Sequence, residues 1–227
     1  MTIDVLTLFP EMFAPLKTSV IGRALDAGVF DLRLTDIRAY SKDKHLKCDD
    51  YPYGGGAGMI MTPQPIYDAI AAVDPQHEAR RIYLSPKGET LTAKKAQALA
   101  QNERLLFLCG HYEGVDQRVL DLCIDEELSI GDYVLTGGEL AAMVTIDSLL
   151  RFVPHVLGSE DSARDESFSA DLLEYPQYTR PRVFMGLSVP DVLVDGHHGN
   201  VDKWRASEAR RITKQNRPDL LKEENDT

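Results

Sequence analysis

The chain has 227 residues, of which 43% are hydrophobic and 27% charged, a balance typical of a soluble globular protein with one or two domains. Charged residues interrupt its apolar stretches well before the roughly 20 residues that a membrane-spanning helix needs. The formal net charge of −11 argues against binding of nucleic acid over the whole surface, because phosphate contacts need Lys and Arg.

The compartment is predicted from the N-terminus and the cysteines. No basic segment precedes the first apolar run, so a secretory signal peptide is not expected. Cys48, Cys109 and Cys123 are far apart in sequence and form no C-x-x-C or Cys/His spacing. We therefore predict a cytoplasmic protein with buried, reduced thiols.

Strand and helix signals alternate along the first two thirds of the chain. Short apolar runs predict five strands, at Ile3–Leu8, Leu32–Asp36, Ile82–Ser85, Leu105–Cys109 and Tyr133–Leu135. Helices are predicted after Thr62-Pro63, from Thr92 to about Gln101, and from Glu139 to Phe152. The last of these is apolar on most sides and is expected to be buried. The alternation predicts an α/β fold with a mainly parallel sheet.

The composition changes after Pro154. Residues 158–172 are rich in Ser, Asp, Glu and Gly, which is typical of a mobile linker. A helix is predicted over Val201–Asn216, with Asn200 or Asp202 as its cap and Arg217-Pro218 at its end. We divide the chain into an α/β domain (1–160), a flexible linker (161–172) and a small, mostly helical domain (173–227).

Three glycine-containing segments follow strands or strand-like runs: Leu84–Gly88, Cys109–Gly114 and Ile130–Glu139. Ligands of open α/β sheets bind beyond the carboxyl ends of strands, and glycines there let backbone groups approach a ligand closely. The three segments together predict a shared pocket. The sequence lacks G-x-G-x-x-G, and the glycine-rich run Tyr53–Met59 lacks the Gly-Lys-Ser/Thr of a P-loop, so a dinucleotide or NTPase site is not supported.

Five motifs in the same order closely resemble the bacterial tRNA (guanine-N1)-methyltransferase family (TrmD), part of the SPOUT superfamily. They are Leu6–Phe13, Asp49–Met59, Cys109–Gly114, Ser129–Glu139 and Tyr175–Pro181. The resemblance runs nearly end to end. It implies methylation at N1 of guanosine 37 of tRNA, immediately 3′ of the anticodon, when a guanine also precedes it. It also implies an obligate homodimer, in which each tRNA anticodon site is built from both chains.

The resemblance implies that S-adenosylmethionine is the cofactor, held in a trefoil-knotted pocket. By match of motif, the cofactor residues are Leu84, Ser85, Pro86, Gly110, Glu113, Gly114, Ser129, Ile130, Gly131, Asp132, Tyr133, Val134, Leu135, Gly137 and Gly138. The family is also associated with magnesium (Mg2+). We find no cluster of metal-ligand residues in the sequence, so such an ion would be held partly by the nucleotide.

The chemistry of the target atom defines two catalytic roles. Neutral guanine carries a proton on N1, so a general base is needed, and negative charge spreads to O6 as the proton leaves. A cation near O6 would stabilise that charge, and the resemblance favours Arg151 for this role. The competing interpretation is an ion pair between Arg151 and Asp147 on one helix face.

The base is expected in the segment Asp165–Phe168. An ungapped alignment from Arg151 through Ser162 places Glu166 where family members carry aspartate. Glutamate can perform the same proton transfer, but Asp165 beside it is the alternative. A solvated charge in a mobile loop is the competing interpretation for both, although a segment that orders over the bound nucleotide would assemble the base only with tRNA present.

The tRNA-contacting residues are predicted less directly. By resemblance alone, Asp50 and the loop with Gly55 and Gly56 line the guanine pocket, and Ser162 belongs to the same site. The basic residues of the C-terminal helix form a candidate phosphate-binding face, and an ordinary solvated helix fits the same pattern. These residues are Lys203, Arg205, Arg210 and Arg211.

Two other functions remain open at this point. A SPOUT methyltransferase acting on ribose or on an rRNA base is disfavoured by the N- and C-terminal segments, and the product nucleoside would decide. A non-catalytic RNA-binding protein is disfavoured by the retention of Arg151 and an acid at Glu166. Cofactor turnover would settle that alternative.

Overall fold

The computed structural model describes residues 1–157, 166–168 and 171–221. The chain divides into two compact units, Met1–Gly158 and Ser159–Thr227. Most of the predicted linker lies outside the described residues. Among the described residues, no helix is both long and apolar enough to cross a membrane.

Five strands of the first unit form a parallel sheet, as predicted. In the described residues the strands are β1 (Thr2–Thr7), β2 (Asp31–Asp36), β3 (Asp49–Asp50), β4 (Ile60–Met61), β5 (Arg80–Thr90), β6 (Arg104–Cys109), β7 (Glu126–Ser129), β8 (Val183–Phe184) and β9 (Leu187–Ser188). The five-stranded sheet has the order β2-β1-β6-β5-β7, and every pairing in it is parallel. The short pairs β3-β4 and β8-β9 are antiparallel. The trefoil knot implied by the resemblance stays a prediction.

Helices cover both faces of this sheet. The α-helices are α1 (Ser19–Asp26), α2 (Pro63–Val73), α3 (Ala93–Leu99), α4 (Gln117–Cys123), α5 (Glu139–Leu150) and α6 (His198–Asn216), and 3₁₀ segments lie at Pro10–Lys17, Ile37–Tyr40, Asp191–Leu193 and Pro218–Leu220. Thr92 caps α3 by accepting a hydrogen bond from the backbone N–H of Lys95 at 3.1 Å, which satisfies a donor that the first helical turn leaves unpaired.

Alternate residues of the central strands supply two hydrophobic cores. Ile3 and Val5 of β1 face a core shared with α5, whereas Leu6 faces a core shared with α2 and α4. Complete burial of such a side chain stabilises the fold by roughly 1.5–3 kcal/mol. The predicted buried thiols are confirmed, since Cys48, Cys109 and Cys123 are all buried and free.

The predicted strand Tyr133–Leu135 is wrong, because these residues lie in an irregular loop between β7 and α5. The true fifth strand, β7, begins with Glu126 and Glu127 and therefore lacks an apolar signal. Glu126 is used at the sheet edge, where Arg80 lies at 2.7 Å and Lys95 at 2.8 Å. The hydrogen bond from Arg80, together with that from Lys95, lowers the pKa of Glu126.

Two helix predictions also need correction. The last long helix, α6, begins at His198, so Asn200 and Asp202 lie in its first turns and do not cap it. Helix α5 is not buried on all sides in the single chain. Its outward stripe is exposed, and the stripe consists of Leu140, Val144, Asp147 and Arg151.

The second unit is organised around α6. The Thr213 hydroxyl accepts a hydrogen bond from the backbone N–H of Leu173 at 2.8 Å and donates one to the carbonyl of Ala209 at 2.7 Å. Both Ala209 and Thr213 are buried. These contacts fix the segment after the predicted linker against one face of the helix.

Candidate active site

A cleft of about 230 Å³ lies at the carboxyl ends of β5, β6 and β7. The three glycine-containing segments singled out in the sequence meet here, because parallel strands end at the same edge of a sheet. Of the residues predicted to hold the cofactor, all except Asp132 line this cleft. Asp132 follows Gly131, whose φ is +146°, and its side chain is exposed to solvent.

The Ser85–Gly88 loop leaves the sheet and returns to it. Leu128 of β7 is paired with Leu84 before the loop and with Glu89 after it. The backbone of Gly88 passes so close to β7 that a Cβ there would lie 2.3 Å from the carbonyl carbon of Glu127. The pairing of β5 with β7 is thus interrupted where the cleft begins. Ser85 and Pro86 therefore lie in the wall of the cleft.

The opposite wall is formed by close backbone contact between two loops. The N–H of Gly138 donates a hydrogen bond to the carbonyl of Gly110 at 2.8 Å. A Cβ on Gly138 would lie 2.8 Å from the Cα of Cys109, so a side chain is excluded at this position. The lack of side chains at Gly110 and Gly138 lets the two loops approach each other closely and leaves room for a ligand beside their backbones.

Several residues of the cleft were missed by the sequence analysis. They are Tyr83, Lys87, His111, Tyr112, Val115, Gln117, Leu120, Glu127, Leu128, Thr136 and Ala141. His111 and Tyr112 lie inside a recognised motif and could have been included on that signal. Tyr83 gives no such signal, and burial raises the pKa of its hydroxyl to about 12, so this group is neutral at physiological pH.

The Asp49–Met59 motif lies against the rim of the cleft. The N–H of Glu113 donates to the carbonyl of Met59 at 3.0 Å, and a Cβ on Gly58 would lie 2.5 Å from the Glu113 side chain. Asp50, Gly55 and Gly56 are exposed. The structure therefore brings the predicted guanine-binding loop to the rim, beside the predicted cofactor residues.

Arg151 lies elsewhere in the same unit. It follows α5 as the C-cap residue and lines a second, larger cavity of about 510 Å³, together with Asp147. Gly138 stands at the start of this helix, thirteen residues earlier. At a helical rise of about 1.5 Å per residue, the two ends are about 20 Å apart. Arg151 therefore does not reach the glycine-walled cleft of its own chain.

The Glu166 side chain is half-buried. Asp165 and Ser162 lie outside the residues that the structure describes. The assignment of Glu166 as the base, with Asp165 as the alternative, therefore stays a prediction from the sequence.

The basic residues of α6 differ in their surroundings. The Arg205 guanidinium stacks over the Tyr175 ring at 4.9 Å, and Arg211 pairs with Glu208 at 2.7 Å. Lys203 and Arg210 are exposed. Arg205 and Arg211 have intramolecular partners, and the Arg211–Glu208 pair has the i,i+3 spacing that a helical sequence pattern can indicate.

Within residues 1–157, 166–168 and 171–221, no group of three or more His, Cys, Asp or Glu side chains is placed to hold a metal ion. The magnesium expectation thus gains no support from these residues, and we assign no step to a metal.

A parallel sheet with a glycine-walled cleft at its carboxyl edge defines an α/β protein with a candidate site for a small organic ligand there. Comparison with known families specifies the class further. The family model described as "tRNA (Guanine-1)-methyltransferase TrmD" matches residues 1–223. The chain belongs to this methyltransferase family.

Curated relatives support the same assignment. A protein from Clostridium perfringens (strain SM101) is 54% identical over 221 residues, covering 97% of this chain and 93% of the relative. One from Clostridium botulinum (strain Eklund 17B) is 54% identical over 222 residues, covering 98% and 93%. One from Alkaliphilus metalliredigens is 52% identical over 227 residues, covering 98% and 92%. All three are named tRNA (guanine-N(1)-)-methyltransferase.

Proposed function

We propose that the protein transfers a methyl group from S-adenosylmethionine to N1 of guanosine 37 in tRNA. The observation that carries this proposal is the convergence of three motif loops into one cleft in a chain that matches the family over residues 1–223. A tRNA substrate supports our prediction of a cytoplasmic enzyme.

The cleft has the features that an adenosine-type ligand requires. Apolar side chains of Leu84, Ile130 and Leu135 can contact the faces of a base, and the glycines of the wall leave room for it. Glu113 and Glu127 add negative charge that suits a cationic sulfonium. Bound S-adenosylmethionine would supply the electrophilic methyl group.

The protein must supply a base and a cation to the guanine. The carboxylate of Glu166 or Asp165 accepts the N1 proton, which frees the nitrogen lone pair for attack. The Arg151 guanidinium stabilises the negative charge that develops on O6. These assignments rest on the resemblance and on the chemistry of N1.

The position of Arg151 supports a site built from two chains. Because α5 is rigid, loop motion within one chain does not remove the separation of about 20 Å between Arg151 and Gly138. Antiparallel pairing of α5 from two copies would bring Arg151 of one copy beside Gly138 of the other, in a two-fold symmetric contact. The exposed stripe of α5 suits such a contact, since Leu140 and Val144 are each 46% exposed.

Methyl transfer should be tested with labelled S-adenosylmethionine and unmodified tRNA that carries guanines at positions 36 and 37. We expect 1-methylguanosine as the product, and no product when guanosine 37 is replaced. A different methylated nucleoside from an rRNA or ribose target would contradict the substrate assignment. Cofactor binding without turnover on any RNA would indicate a non-catalytic binding protein.

The identity of the base can be tested by comparing Glu166→Gln with Asp165→Asn. Each substitution removes a carboxylate with little change in size, so only the variant that lacks the base should lose proton transfer. We expect kcat to fall by about 10²-fold in Glu166→Gln and to change little in Asp165→Asn. The reverse result would assign the base to Asp165, and two small effects would place it outside this segment.

A further inference from the structure

A buried carboxylate lies directly behind the Gly137–Gly138 wall of the cleft. Glu139, the first residue of α5, is only 1% exposed. Its Oε1 accepts a hydrogen bond from the hydroxyl of Thr7 at 2.8 Å. Thr7 is fully buried at the end of β1, and its hydroxyl oxygen also accepts a hydrogen bond from the N–H of Phe9 at 2.9 Å.

The second oxygen of Glu139 faces the opposite loop of the cleft. A Cβ on Gly137 would lie 2.4 Å from Glu139 Oε2 and 2.7 Å from His111 Nδ1, so both atoms border the same small space. His111 Nδ1 is buried and has no hydrogen-bond partner among the described residues. The imidazole ring is held between the rings of Phe9 and Tyr112, each with its centroid 5.0 Å away.

We propose that Glu139 is a positioning residue for the cofactor, with Thr7 and His111 as its partners. This inference rests on the proposed use of S-adenosylmethionine in the cleft. The carboxylate joins the end of β1 to the start of α5 and borders the loop after β6 at His111. It thereby supports, from behind, the wall in which Gly138 contacts Gly110.

The energetics of burial explain why these contacts act together. A buried carboxylate is unfavourable unless hydrogen bonds and dipoles compensate its loss of hydration. The N-terminus of α5 and the Thr7 hydroxyl provide that compensation. A small rotation of the His111 ring would bring its Nδ1–H to Glu139 Oε2 and add a contact to the loop after β6. Loss of the Thr7 contact frees the carboxylate to move, and the glycine wall moves with it.

Thr7→Val removes the hydroxyl while nearly preserving the side-chain shape. We expect the dissociation constant for S-adenosylmethionine, measured by calorimetry, to rise about tenfold. The KM for the cofactor should rise similarly, while kcat at saturation stays within about twofold, because the reacting groups are untouched. Thr7→Ser retains the hydroxyl and should bind the cofactor with nearly wild-type affinity.

Thr145→Val provides a matched control for the effect on folding. Thr145 is also fully buried, and its hydroxyl donates only to the carbonyl of Ala141 within α5, at 2.8 Å. This variant should lose thermal stability without losing cofactor affinity. A double variant of Thr7→Val with Glu139→Ala should bind no more weakly than Glu139→Ala alone, because the two residues form one unit.

Unchanged affinity in a folded Thr7→Val protein would overturn the positioning role. So would an equal loss of affinity in Thr145→Val, because the loss would then reflect general destabilisation. Failure of the wild-type protein to bind S-adenosylmethionine would instead contradict the proposed function, so the two failures are distinguishable.

Discussion

Arg151→Ala is expected to lower kcat for tRNA methylation by about 10²-fold or more, while the affinity for S-adenosylmethionine is unchanged. The expected loss reflects the negative charge on O6, which would develop without a neighbouring cation. The cleft of its own chain is about 20 Å away along α5, and Arg151 belongs to the guanine-facing side of the proposed shared site, so the cofactor-binding loops should keep their geometry. Single-turnover kinetics with saturating tRNA, combined with calorimetric cofactor binding, would measure both quantities.

Arg151→Lys is the matched control, because it keeps the charge and loses the planar pair of donors. Its kcat should lie between those of the wild type and Arg151→Ala. Normal turnover in Arg151→Ala would remove this residue from the mechanism and favour its alternative role as a structural partner of Asp147.

Gly138→Ala should weaken binding of S-adenosylmethionine by about 10²-fold. The φ of −80° at this position suits alanine, so the effect is steric. The added Cβ would lie 2.8 Å from the Cα of Cys109 and 3.0 Å from the N of Gly110, and the glycine wall must shift. A shift of about 1 Å in a binding wall can reduce activity about 100-fold.

Gly199→Ala is a suitable control for glycine replacement. Gly199 lies in α6, and a Cβ there would come no closer than 3.6 Å to the His197 ring. Its cofactor affinity should match the wild type. Wild-type affinity in Gly138→Ala as well would show that the cleft does not hold the cofactor in the proposed way.

Mixing the two disabled variants tests the shared site. In a heterodimer, the Arg151→Ala chain keeps a normal cleft and the Gly138→Ala chain keeps its Arg151. If each site combines the cleft of one chain with Arg151 of the other, one of the two sites is intact. Random exchange should restore about one quarter of the wild-type activity. If Arg151 acted within its own chain, each heterodimer would lack a complete site and the mixture would stay inactive.

The glycine loops could be predicted from the sequence because their signal is local. Each loop follows a strand or strand-like run, and parallel topology then requires the strand ends to meet. Strand β7 could not be recognised, because Glu126 and Glu127 give it a polar sequence whose meaning depends on Arg80 and Lys95 from other segments. Local apolar periodicity carries no information about such tertiary ion pairs.

The separation between Arg151 and the cofactor loop could have been predicted from the sequence, whereas the long-range contact between Thr7 and Glu139 could not. Arg151 lies near the end of the helix predicted over Glu139–Phe152, which begins beside the cofactor loop, and helical rise alone would have indicated their separation. The Thr7–Glu139 contact joins residues 132 positions apart, so no local pattern could reveal it. The start of α6 was missed because His197, its cap residue, makes no side-chain capping bond.

The strand order also has a consequence for synthesis of the protein on the ribosome. β1 can pair with β2 as soon as residue 36 has emerged, but its other neighbour, β6, starts at Arg104. At a synthesis rate of about 5–20 residues per second, the edge of β1 that pairs with β6 stays unpaired for several seconds. During that interval an unpaired strand with apolar side chains is open to aggregation. This interval ends before the loops after β6 and β7, which carry most of the cleft residues, have been synthesised.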